Sequence, residues 1–400
     1  MPFMSLYDCC INAKSIDYCY HCIGYRVCWS QYYRFKTSYL CNMSFFKTAR
    51  PYIIAGPCSA ETREQVMAVA AELAGMNVQL MRAGVWKPRT RPGAFEGNGQ
   101  PALEWLQEVK QTYDLPVTTE VADTNHLELA LKYGIDVIWI GARTVVNPFQ
   151  VQRLADALRG TNIPVMVKNP VSPDVDLWQG AIERFEKAGI TSVAAIHRGF
   201  SGYTAAVGYR NQPNWPIPIE LKRRKPELTM IGDPSHISGK RARVAEVAQK
   251  ALDMHFDGLM IETHPDPEAA WSDADQQVTP AQLRTILSQL IVREETTRDM
   301  SGQEQLEYLR QSMDSLDAEI LDLVARRMEL SGQIGNVKKS CNMTVFQPSR
   351  WSEIVDGLCA RSNMHGLSKD FVTELYQKIH NESIRIQLSV MEDAPKEIKK

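Results

Sequence analysis

From residue 51 the sequence alternates short apolar runs with longer amphipathic ones, and it does so eight times. Strands are expected at 52–55, 78–83, 116–120, 137–141, 165–168, 192–197, 229–232 and 258–262. Helix-like stretches lie between them, at 61–74, 103–112, 126–133, 150–158, 179–188 and 241–254. A strand-then-helix repeat builds a parallel sheet, because parallel neighbours need a crossover connection. Eight such units are the number that closes a (β/α)8 TIM barrel. A doubly wound open sheet is the alternative α/β architecture.

The pattern changes after about residue 290. A polar, charged stretch at 291–303 suits a linker, and 304–390 then carries three helical patterns, at 309–339, 353–363 and 369–390, before a flexible tail at 391–400. An all-α unit this thin exposes much apolar surface alone, so it is expected to dimerise or dock. A chain of 400 residues is long enough for two domains. Its net charge of −2 offers no basic field for nucleic acid, and no apolar run is long enough for a membrane span. Six of the nine cysteines fall in the first 42 residues, which lack the charged start and apolar core of a secretory signal. Cys19, His21, Cys22 and Cys28 match no strong zinc spacing, so 1–42 reads as an unstructured extension or a misassigned start. A cytoplasmic location is expected, with the barrel spanning 43–290.

In a barrel of this kind, chemistry collects where strands end and loops begin. Those positions hold Gly56-Pro57-Cys58-Ser59, then Arg82 with Lys87-Pro88-Arg89-Thr90, Thr119-Glu120, Gly141-Ala142-Arg143 and Lys168-Asn169-Pro170. They continue with His197-Arg198-Gly199, Asp233-Pro234-Ser235-His236 and Glu262-Thr263-His264, followed by Asp273. One grouping is cationic: Arg82, Lys87, Arg89, Arg143, Lys168 and Arg198. A lone Lys or Arg is usually a surface charge, but six on one rim call for an anion, and Arg forks match phosphate and carboxylate oxygens. The other grouping is Cys58, His236, Glu262 and Asp273. Thiolate, imidazole and two carboxylates suit a divalent transition metal, against the plainer reading of a buried Cys and a hydrogen-bonded His.

These segments jointly resemble the short-form 3-deoxy-D-arabino-heptulosonate 7-phosphate (DAHP) synthases, over about residues 43–285. The related synthase that uses arabinose 5-phosphate normally has Lys-Ala-Asn-Arg-Ser where this chain has Lys87-Pro88-Arg89-Thr90-Arg91. The resemblance implies condensation of phosphoenolpyruvate with erythrose 4-phosphate and release of phosphate. It implies that Arg82, Lys87, Arg143, Lys168 and Arg198 hold phosphoenolpyruvate, and that Arg89 and Thr90 meet erythrose 4-phosphate. It also implies one metal ion (Mn, with Fe, Co or Zn as alternatives) on Cys58, His236, Glu262 and Asp273. Lys87 and Glu120 stand as the proton-handling neighbours of the attacking water.

The helical pattern carries an apolar stripe at Met313, Leu316, Ile320, Leu323, Leu330 and Ile334, with Arg310, Arg327 and Lys338 on or beside it. A single such cation snorkels to solvent, whereas three on one face favour a dicarboxylate ligand. Ser383 and Gln387 share one face of the last helix, a turn apart. Together with Arg350, these residues resemble the all-helical chorismate mutases over about 304–388. The resemblance implies that Arg310, Arg327 and Arg350 grip the carboxylates of chorismate. Lys338 and Gln387 would contact its ether oxygen, Ser383 would line the site, and one Arg would cross from a partner subunit. Where such proteins commonly carry an acid contacting the substrate hydroxyl, this chain has Trp351, with Glu353 as the candidate substitute; Gln347 stands where an Asp is often found. The expectation is a bifunctional shikimate-pathway enzyme that forms a dimer or tetramer. The alternative is a helical unit that mainly senses prephenate or chorismate and inhibits the barrel.

Overall fold

The computed structural model describes residues 45–88, 93, 95–202, 208–362 and 366–392. It divides into two compact units, one up to Arg293 and one from Glu294.

In the first unit, strands β1 (Tyr52–Gly56), β2 (Leu80–Arg82), β3 (Val117–Val121), β4 (Val137–Ile140), β5 (Val165–Lys168), β6 (Val193–His197), β7 (Thr229–Gly232) and β8 (Gly258–Glu262) pair in sequence order. Each is parallel to its neighbour, and β8 returns to β1 from Tyr52↔Gly258 to Gly56↔Glu262. The barrel is therefore closed and has no edge strand. The helices of this unit are α1 (Arg63–Ala74), α2 (Gln100–Tyr113), α3 (Thr124–Lys132), α4 (Ala142–Val145), α5 (Pro148–Ala157), α6 (Val175–Lys187), α7 (Pro216–Arg224), α8 (Pro234–Ser238), α9 (Val244–Asp253) and α10 (Pro280–Gln289). β2 is shorter than the expected 78–83, because the Val78 amide turns back to the Met76 carbonyl and belongs to the preceding turn.

Alternation along the strands separates two cores. Tyr52, Ile54, Leu80, Val137, Trp139, Met166, Ala194, Ile196, Ile231 and Met260 fill the interior, closed from below by Phe46. The intervening residues, such as Ile53, Met81, Val165 and Leu259, pack outward against the helices. Two positions beyond the interior layer, the same parity delivers Arg82, Gly141, Lys168, Arg198, Asp233 and Glu262 to the barrel mouth. The apolar floor and the charged rim are thus one periodic pattern.

The second unit consists of α11 (Met300–Ser340), α12 (Pro348–Ser362) and α13 (Lys369–Glu392). Asp299 caps α11 by accepting from the Ser301 and Gly302 amides, so this helix starts well before the expected residue 309. In its C-terminal half the less exposed positions include Val324, Arg327, Met328, Ser331, Gly335 and Lys338, and Arg327, Met328 and Gly335 meet α13 at Ser383 and Gln387. At Gly335 an added β-carbon would lie 3.2 Å from the Gln387 Cα, so the bare glycine lets the two helices approach closely. The expected apolar stripe faces elsewhere: Met313, Leu316, Ile320, Leu323, Leu330 and Ile334 are each about half exposed or more. Arg327 and Lys338 flank this exposed stripe, Arg327 turning to Ser383 on α13 and Lys338 being buried. No helix among the described residues is long and apolar enough to cross a membrane.

Candidate active sites

At the barrel mouth the donor atoms of Cys58, Glu262 and Asp273 lie within 4.8 Å of one another. Cys58 follows β1, Glu262 ends β8, and Asp273 stands in the loop after β8 in a left-handed conformation (φ 48°). The Cys58 thiol lies 3.1 Å from Asp273 Oδ2 and accepts from Lys87 Nζ at 2.5 Å. Burial, then the Glu262 and Asp273 charges, push the thiol pKa up, so a further cation is needed to favour the thiolate here. His236 stands beside this trio, with Nε2 3.7 Å from Glu262 Oε1. Its Nδ1 lies 2.8 Å from Asp233 Oδ2, and that bond leaves Nε2 as the outward-facing ligand atom. Glu262 Oε1 has no hydrogen-bond partner of good geometry among the described residues, although it forms an ion pair. Two carboxylates, a thiol and an oriented imidazole around an unsatisfied buried oxygen are a donor set that fits a metal ion.

Cations flank this cluster, and at least three already have protein counter-ions, Lys87 meeting Asp273 Oδ2 at 3.7 Å. Arg82 pairs with Glu262 at 3.0 Å and Lys168 with Asp233 at 3.0 Å, all four side chains being nearly or fully buried. The expectation that six rim cations go unbalanced without a ligand is therefore too simple. Burial of the two carboxylates is outweighed by these cations and by His236, so both pKa values fall. Both cations also lie over the Trp139 ring, at 5.1 and 5.7 Å from its centroid. Even so, Nε and Nη1 of Arg82 are buried without a partner among the described residues. Arg198 is held down to about 10, by burial first and then by repulsion from Arg210 and Arg143. This side of the mouth retains an excess of positive charge. Glu120 accepts from Trp139 Nε1 at 3.1 Å, and a β-carbon at Gly141 would collide with its carboxylate. Arg89 and Thr90 lie outside the described residues.

In the helical unit Arg327 donates to Ser383 Oγ and Lys338 donates to the Val345 carbonyl. Lys338, Ser383 and Gln387 are all buried. Arg310 is not brought to them: 17 residues of continuous helix place it about 25 Å from Arg327. Arg350 is exposed and pairs with Glu353 at 2.9 Å, so the candidate substitute acid is engaged at the surface. Trp351 stacks on His380 with ring centroids 4.1 Å apart.

A family model described as the DAHP synthetase I family matches residues 43–299. The chain belongs to that family. A second model, chorismate mutase type II, matches residues 309–388, so this family member carries a mutase-type domain behind its barrel. A phospho-2-dehydro-3-deoxyheptonate aldolase of Thermotoga maritima is 33% identical over 226 residues, 56% of this chain and 64% of the relative. The chain thus spans slightly less than two thirds of that relative's length. A 2-dehydro-3-deoxyphosphooctonate aldolase of Brucella ovis is 28% identical over 269 residues, 62% of this chain and 93% of the relative. The solved Thermotoga maritima DAHP synthase superposes with a TM-score of 0.54 and 31% identity, over 59% of this chain and 67% of that one. Its truncated form gives 0.52 and 28%, over 59% and 84%.

Several residues support the cluster, of which only Ser59 and His264 stand at strand-end positions marked in the sequence. Arg210 donates to Asp273 Oδ1 at 2.9 Å and to Gln276 Oε1 at 2.6 Å, and Gln276 donates to Glu262 Oε2 at 2.6 Å. Gln277 accepts from the Cys58 amide at 3.0 Å and donates to the Ser272 carbonyl at 2.9 Å, tying the loops after β1 and β8 together. Ser59 and Ser272 share a hydroxyl contact at 2.7 Å. His264 contacts Glu61 at 3.3 Å, and the other Glu61 oxygen accepts from the Trp271 amide at 2.8 Å. Arg210, Gln276 and Gln277 sit in loops, where no periodicity marks them.

Proposed function

We propose that the barrel condenses phosphoenolpyruvate with erythrose 4-phosphate to DAHP and phosphate, and that the helical unit rearranges chorismate to prephenate. The observation that carries the first half is Arg82: a fully buried guanidinium with two unspent N–H groups beside the metal-type cluster. Buried donors left unpaired are costly, and an anionic ligand would satisfy them. On this reading Arg82, Lys168, Arg198 and Arg143 bind the carboxylate and phosphate of phosphoenolpyruvate, and Lys87 lies between that anion and Cys58. Arg89 and Thr90 are assigned to erythrose 4-phosphate. Cys58, His236, Glu262 and Asp273 would hold a divalent metal, Mn before Fe, Co or Zn, which would act as a Lewis acid on the aldehyde. Glu120, fixed by Trp139 and given room by Gly141, would exchange protons with the attacking water together with Lys87. The fixed cations stabilise negative charge developing at the carboxylate.

In the helical unit Arg327 and Lys338, joined by Arg310 of a second copy and by Arg350, would fix the two carboxylates and the ether oxygen, with Ser383 and Gln387 lining the site. A pericyclic rearrangement needs restraint and electrostatics but no nucleophile. The bare apolar stripe of α11 supports a homodimer through this unit. Prephenate as a feedback ligand is a separate proposal.

A coupled assay tests both halves. Phosphate release should need erythrose 4-phosphate, and prephenate should form from chorismate in the same preparation. Turnover with arabinose 5-phosphate but not erythrose 4-phosphate would overturn the synthase assignment. Synthase activity that survives exhaustive chelation would remove the metal role of Cys58 and His236. A synthase rate unaffected by prephenate would remove the feedback role.

A further inference from the structure

Gln387 and His380 stand two turns apart on α13, with Ser383 between them, so all three share one face. The middle residue already accepts from Arg327. The outer two each bury a polar atom, Oε1 of Gln387 and Nε2 of His380, that has no partner among the described residues. A buried polar atom without a partner is destabilising by itself, and two on one face beside two cations point to a ligand that completes them. Gln387 was expected in the mutase site; His380 was not.

Its setting is well defined. The indole of Trp351 lies flat on one side of the imidazole, 4.1 Å away and tilted by 20°, and Phe346 stands at 6.2 Å. These rings hold the imidazole plane and leave its edge as the polar face. Burial, then the nearby charges of Arg327 and Lys338, push the imidazole pKa down, which favours the neutral ring. A neutral ring avoids repulsion with these two cations and offers one directional hydrogen bond.

We propose that His380 contacts the substrate in the mutase site, its Nε2 hydrogen-bonding the ring hydroxyl of chorismate, with Trp351 as the positioning residue behind it. This rests on the mutase reading given above. The carboxylates and the ether oxygen are assigned there to cationic or amide groups, and the hydroxyl is the uncharged polar group left over. Glu353, the other candidate for that contact, is exposed and turned to Arg350.

The test uses the full-length protein and two substrates, chorismate and an analogue lacking the ring hydroxyl. His380→Phe keeps the stack and removes the nitrogen; it should lower kcat/KM for chorismate roughly tenfold to a hundredfold. On the deoxy analogue the same variant should match the wild type within about threefold. His380→Gln, which restores a polar group at similar reach, should recover most of the loss. Equal penalties on both substrates, no penalty on either, or an equal loss in the Phe and Gln variants would overturn the assignment of His380. A wild-type chain that does not turn chorismate over would overturn the mutase reading as well, which separates the two failures.

Discussion

Arg82 and Arg198 sit on the same rim, yet their substitution should have opposite consequences. Arg82 is enclosed with Glu262, so Arg82→Ala leaves a buried carboxylate unpaired and should destabilise the barrel by about 3–5 kcal/mol. Arg198 has a depressed pKa and partial solvent access, so Arg198→Ala relieves repulsion. It should melt within a few degrees of the wild type while the KM for phosphoenolpyruvate rises at least tenfold. Thermal melting and steady-state kinetics separate the two; similar melting temperatures for both variants would contradict the burial argument. His197 makes a pH prediction. Buried among Trp178, Phe200, Trp215 and Phe256, it has a pKa lowered from 6.5 to about 3, with burial the main cause. Between those values the unfolded chain binds a proton that the folded chain refuses. Its stabilising contribution is therefore complete above pH 6.5 and shrinks as pH falls toward 3, by about 2 kcal/mol at pH 5. His197→Phe should show a smaller drop in melting temperature from pH 7 to pH 5 than the wild type does.

At the scale of elements, the strands were the most legible part of the sequence. Four residues such as Val165–Lys168 carry both an apolar period and a terminal charge, and the alternation that buries Met166 also lifts Lys168 to the mouth. Strand ends therefore located Arg82, Glu262 and Asp233 together. Loop residues were less legible, because Arg210, Gln276 and Gln277 act through hydrogen bonds set by loop shape. Which side of the α11 stripe packs was not legible for a different reason. Arg327 and Lys338 lie three and four residues from Leu330 and Ile334, about 60° and 40° round the helix, so spacing alone does not say which of them turns to α13. The support loops carry their own prediction. Gln277→Ala releases both the Cys58 amide and the Ser272 carbonyl, so it should weaken metal binding ten- to a hundredfold with little change in melting. Metal titration of the variant followed by activity or absorbance checks this, and unchanged affinity would mean the clamp is idle.

At the scale of the whole molecule, the two units meet different requirements. The groups proposed for the barrel mouth all occur within one chain, whereas in the helical unit Arg310 lies about 25 Å along α11 from Arg327. If Arg310 serves the partner's site, mixing Arg310→Ala chains with Arg327→Ala chains should restore about a quarter of wild-type mutase activity. Random pairing makes half of the dimers mixed, and each of these has one intact site in two. Absence of recovery on mixing, with dimers confirmed by sedimentation, would place both arginines in one chain's site.

The uncovered N-terminal half of α11 has one more consequence. If the exposed apolar side of this helix is ordered by a second chain, as the proposed homodimer requires, its stability depends on protein concentration. Serial dilution should then lower prephenate formation per chain. On that reading the abundance of the protein would set how the two proposed chemistries are balanced.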